Sequence, residues 1–167
     1  FATTESEIVE MSLRFAGVAT QIGITADETA AFAAVLSQAG LEAQAGGGAM
    51  QRVLSDIALA VSKGGSELSA FAEVAGMSAD EFRRAFKEDA TEAILAFLAG
   101  LNRIQAGGGD VIRTLDSLGL SQINNRRAVL GLTSQYDELE SALSLARGEM
   151  EGGTALLDES ARQFDTT

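Results

Sequence analysis

Cysteine, histidine, proline and tryptophan are absent from this 167-residue chain, and tyrosine occurs once. Without cysteine there is no disulfide and no thiol nucleophile; without histidine the chain lacks the commonest general base and the usual zinc ligand. Much of enzymology is thereby excluded. Positive charge is scarce as well: 12 basic residues face 24 acidic ones, and a net charge of −12 repels DNA and anionic membranes. Long apolar runs are missing, every uncharged run falling well short of the roughly 18 apolar residues that a membrane-spanning helix needs. No signal-peptide pattern is present. The chain begins at Phe1 and not at methionine, which reads as a fragment of a longer protein, with any targeting or spanning segment outside it.

What remains is sufficient for a core. Hydrophobic residues make up 46% of the chain, so one domain over 1–167 is expected. Eighteen glycines accompany many alanines, serines and leucines, while strand-forming residues are thin; this favours closely packed helices over sheet.

The stretch Phe71 to Lys87 sets the pattern. An apolar face of Leu68, Phe71, Ala72 and Ala75 stops at Gly76, Met77 plugs the turn, and Ser78 with Glu81 forms a capping box that opens the next helix. A first helix reads from Thr4, with Glu7 as capping partner, to Gly23; Ile24 plugs, and Thr25 with Glu28 starts a second that ends at Gly40. A third joint of this kind lies at Leu118, Gly119, Leu120 and Ser121, without a capping glutamate. Gly46 to Gly48 reads as a helix-helix loop, followed by a periodic helix carrying Met50, Val53, Leu54, Ile57 and Val61 and closed at Gly64-Gly65. Asp89 with Glu92 opens a helix whose face is Ile94, Phe97, Leu98, Leu101 and Ile104, ended by Gly107 to Gly109. Shorter helices follow, one from Asp110 with Val111, Ile112, Leu115 and Leu118, another with Ile123, Val129 and Leu130, and a third with Tyr136, Leu139, Leu143, Ala146 and Met150. After Gly152-Gly153, residues 152–167 read as a weakly ordered end with Leu156, Leu157 and Phe164. The expectation is an all-α, compact array of about eight to ten short helices joined by Gly-rich turns.

Candidate chemistry is sparse. Gly46-Gly47-Gly48 lacks the lysine and hydroxyl of a phosphate loop, and Gly107 to Gly109 runs into Asp110. The acidic pairs Asp27-Glu28, Asp80-Glu81, Glu88-Asp89 and Asp158-Glu159 could in principle serve as acid and base, but the first two fall in first turns, where the helix dipole favours negative charge. Arg83-Arg84 and Arg126-Arg127 make a poor nucleic-acid footprint and read as solvated faces with local ion pairs. Phe71, Phe82, Phe86 and Phe97 at helical spacing read as core. No cofactor or metal site is expected.

Several blocks in fixed order carry a resemblance: Gly40-Leu41-Glu42-Ala43, Ala45-Gly46-Gly47, Ala49-Met50, Arg52-Val53-Leu54, Phe71 to Glu81, and Phe86-Lys87-Glu88-Asp89. Phe97, Gly100-Leu101, Leu118-Gly119-Leu120 and the helix from Leu139 to Ala146 continue it. Together, from about Ile8 to Ser160, they resemble the conserved N-terminal region of tail tape measure proteins of long-tailed bacteriophages and prophages. Gly48 stands where that family often has threonine or serine, and Ala90 where many members have proline. The resemblance implies a non-enzymatic structural protein of the virion tail, present in the host cytoplasm during assembly, that sets tail length and takes part in DNA ejection. Its implied partners are tail tube, tail-tip or baseplate proteins, tail assembly chaperones and further copies of itself. No catalytic residue is carried over. The rival expectation is a membrane-active module whose helices insert into the host envelope during ejection.

A ruler should be extended, and 167 residues in one helix would reach roughly 250 Å. Breaks at short intervals instead suggest a compact module attached to the ruler. Its structural residues would be the turn formers Gly23, Thr25, Gly40, Gly76, Ser78, Gly119 and Ser121, and the core and motif residues Phe71, Met77, Phe82, Phe86, Phe97 and Leu101.

Overall fold

The computed structural model describes residues 5–148. Eight helices run in order: α1 (Glu5–Gln21), α2 (Ala26–Gln38), α3 (Ala43–Lys63), α4 (Gly65–Ala75), α5 (Ala79–Glu88), α6 (Ala90–Ala106), α7 (Val111–Ser117) and α8 (Ile123–Ser134). A ninth, α9, occupies 136–148, and no strand occurs among the described residues. The longest helix, α3, is the hub, packing on α1, α4 and α8; α6 packs on α4, α5 and α8.

The joints follow from backbone chemistry. At Gly76 the backbone turns left-handed (φ +75°), a conformation only glycine adopts cheaply, and the Met77 amide reaches back to the Ala72 carbonyl at 2.9 Å. Met77 packs half-buried on the core, as its plug position requires. The same six-to-one hydrogen bond recurs from Ile24 to Ala19, Leu41 to Leu36, Gly109 to Ile104 and Leu120 to Leu115, each just after a glycine of positive φ. Thr25 and Ser78 then open α2 and α5 with complete capping boxes.

Between the joints the apolar faces close on one another. Phe15, Phe32, Phe82, Phe97, Leu54 and Leu101 are fully buried, each contributing about 1.5–3 kcal/mol relative to exposure. Phe71 and Phe97 hold α4 against α6 with ring centroids 5.5 Å apart and planes tilted by 57°, and Phe82 stacks near Phe86 within α5.

Two sequence readings are corrected. Gly46 to Gly48 is no loop: α3 begins at Ala43, and these glycines lie inside its first turns. A Cβ on Gly47 would stand 2.7 Å from Arg14 Cβ and 2.9 Å from the Met11 carbonyl, so hydrogen side chains here let α1 and α3 approach. Ser121 does not start α8; Gln122 is its cap, Oε1 accepting from the Asn124 and Asn125 amides at 3.0 and 3.1 Å. Ile112 and Ile123, on α7 and α8, are 52% and 60% exposed. The Thr4 start of the first helix, Met150, and the weak end over 152–167 lie outside the described residues.

Candidate functional site

The densest polar arrangement is an ion cluster built from helix caps. Thr25 caps α2 and so places Glu28 in its first turn, where Glu28 Oε1 accepts from the Thr25 amide at 3.0 Å. The other oxygen, Oε2, accepts from Arg147 Nε at 3.0 Å and Nη2 at 2.9 Å. Asp89 caps α6, accepting from the Glu92 amide, and both of its oxygens also accept from Arg147 Nη2, at 2.9 and 3.0 Å. Glu92, in the first turn of α6, takes Arg147 Nη1 at 2.7 Å. A single arginine near the end of α9 thus ties down the starts of α2 and α6. Positive helix N-termini beneath Glu28 and Glu92 offset the surplus negative charge.

Burial pushes the Glu28 carboxyl up, but the Thr25 amide, the Arg147 guanidinium and the Thr91 and Thr25 hydroxyls together hold it below its ordinary value. Among the described residues the buried Thr91 Oγ1 completes no hydrogen bond of good geometry. Burial opposes the charge on Arg147 as well, and the Glu28 hydrogen bond with the Asp89, Glu28 and Glu92 charges overcomes it. A general acid needs the reverse, a carboxyl raised towards neutrality. Chemically the cluster is a charge-assisted clasp. Its carboxylates converge on a guanidinium, and among the described residues no group of His, Cys, Asp or Glu is arranged to hold a metal ion.

Two other groups are perturbed. Desolvation pushes Asp56 up against the opposing charge of Arg52, and Asp56 borders an open groove of about 500 Å³ with Ser66, Glu67 and Ser117. Raised carboxyls in clefts mark candidate acids. Asp56 is nevertheless solvent-exposed, and among the described residues no hydrogen bond orients it. Tyr136 is raised by desolvation, by its hydrogen bond with Glu140 and by the charges of Glu140, Glu92 and Asp137.

The residues singled out from the sequence do not gather into a site. Gly23, Gly40, Gly76 and Gly119 are spread over four separate helix ends, and Phe71, Phe82, Phe86, Phe97 and Leu101 fill the core between α4, α5 and α6. Arg83 makes a long 3.7 Å contact with Asp80, and Arg84 and Arg127 are exposed. Arg147 was not legible: its partners Glu28 and Asp89 stand 119 and 58 residues away, and only their shared place at helix starts hinted at a common cation. No protein-family model, curated protein or solved structure matches the chain.

Proposed function

We propose that the chain is a folded, non-enzymatic module of a tail tape measure protein, contributing to tail assembly through contacts with tail tube or tail-tip proteins. One observation carries the reading: the blocks that resemble that family include several positions where the fold tolerates little change. Gly46 and Gly47 let α1 and α3 touch, a Cβ on Gly100 would run into the Val74 carbonyl oxygen of α4, and Leu118-Gly119-Leu120 is a helix joint. These positions support the reading, because a shared structural role rests on shared packing.

With the longest helix among the described residues at 21 residues, this module is not itself the extended ruler. It is a globular attachment, held closed at its last described helix by the Arg147 clasp. Mass spectrometry of purified tails from cells carrying the gene tests the assignment. Peptides of this chain in the tail fraction are expected; their recovery only from cytosol free of tail particles would overturn it.

A further inference from the structure

We propose that the groove over α3, between α1 and α5, docks an acidic amphipathic helix of a partner protein. The groove is open and has a volume of about 830 Å³. Ala58 and Leu59 of α3, Val18 and Ile22 of α1 and Phe86 of α5 supply its apolar lining, Leu59 standing on the rim it shares with the groove beside Asp56. Leu59 is 51% exposed, a large apolar side chain facing an unfilled trough. Ser55 and Ser62 mark the two ends along α3, so the trough follows that helix for about two turns, roughly 10 Å. That is the shape into which a partner helix lays apolar side chains spaced three and four residues apart.

Charge chooses among such helices. Acidic residues outnumber basic ones by 24 to 12 in the chain, yet among the described residues no Asp or Glu lines this groove, and its α5 wall carries Arg83 and Lys87. Lys87 has no ion-pair partner among the described residues, and Arg83 has only its 3.7 Å contact with Asp80, whose side chain is 82% exposed. One unpaired cation and one held only by a long, exposed contact, both beside an apolar trough, complement carboxylates flanking an apolar stripe. At physiological salt, charges beyond about 8 Å are largely screened, so a helix in the groove responds to this wall more than to the net charge. The inference does not depend on the identity of the larger protein.

Two fluorescently labelled synthetic helical peptides, with identical leucine stripes flanked by glutamate in one and lysine in the other, test it by anisotropy with the purified chain. The glutamate peptide binds more tightly, and Lys87→Glu together with Arg83→Glu weakens it by about tenfold and reverses the preference. Leu59→Ser weakens both peptides alike. Circular dichroism checks folding, and Lys87→Glu alone, at an exposed position, gives a smaller shift in the same direction should the double variant unfold. No saturable binding, equal affinity for the two peptides, or a preference unchanged in Lys87→Glu overturns the proposal. So does a dimer of the chain that Leu59→Ser converts to monomer, which would assign the groove to a second copy.

Discussion

Arg147 Nη2 lies 2.9 Å from Glu28 Oε2, joining the last described helix to the second across 119 residues of sequence. The Glu28 side chain is 6% exposed and that of Arg147 34%, so the pair sits between a surface bridge and a buried one.

Removing the cation alone should therefore cost more than a surface pair. Arg147→Ala is expected to destabilise by about 2 kcal/mol, chiefly by leaving the Glu28 carboxylate buried without its partner. Urea unfolding measures it. Combining Arg147→Met with Glu28→Leu should recover part of the loss, because the buried carboxylate is gone and the Asp89 and Glu92 side chains that remain are 43% and 55% exposed and hydrated.

Acid should open the same clasp. The folded-state pKa of Glu28 lies below its ordinary 4.5, so its contribution is fully present above that value and is lost as pH falls through the lower, folded one. Stability from this group is flat near neutrality and declines in the acid limb; Glu28→Gln should flatten that limb in unfolding midpoints taken across pH. Asp56 has the opposite sign: its raised carboxyl costs stability above its folded pKa, so Asp56→Asn should leave neutral-pH stability unchanged or slightly higher.

Glycines that look alike in the sequence should respond oppositely to alanine. Gly100→Ala drives a methyl into the Val74 carbonyl and should cost about 3 kcal/mol or more, if the variant folds at all. At Gly17, in the middle of α1, an added methyl would meet nothing within 4 Å, and at Gly48, in α3, it would meet only Arg52 Nη1 at 3.8 Å. Gly17→Ala and Gly48→Ala should each stabilise by about 0.5–1 kcal/mol through helix propensity. Thermal melts of the three variants check the order.

Caps separate in the same way. Thr25→Ala and Ser78→Ala each remove a two-sided capping box and should cost about 1 kcal/mol. Ser121→Ala should stay within about 0.5 kcal/mol, since Gln122 caps α8. Chemical denaturation of the single variants distinguishes them.

The helix ends were legible because a glycine, an apolar plug and a hydroxyl with a glutamate are local signals, complete within a few residues, as at Gly76, Met77, Ser78 and Glu81. The core phenylalanines were legible for a similar reason, their spacing repeating along each helix. Gly46 and Gly47 misled because glycine serves two ends: it breaks helices, and it also lets two helices touch, and only the presence of Met11 and Arg14 across the interface decides between them. The Arg147 clasp depends on tertiary pairing alone, so no local pattern announces it.

The role we propose for this segment is that of a folded attachment and not of a length of ruler. In-frame deletion of these residues from the intact gene, followed by electron microscopy of the resulting tails, tests it most directly. Tails that form should keep their length, with any defect appearing in the yield of assembled particles. Normally assembled tails shortened by the full extended helical length, roughly 250 Å, would contradict it.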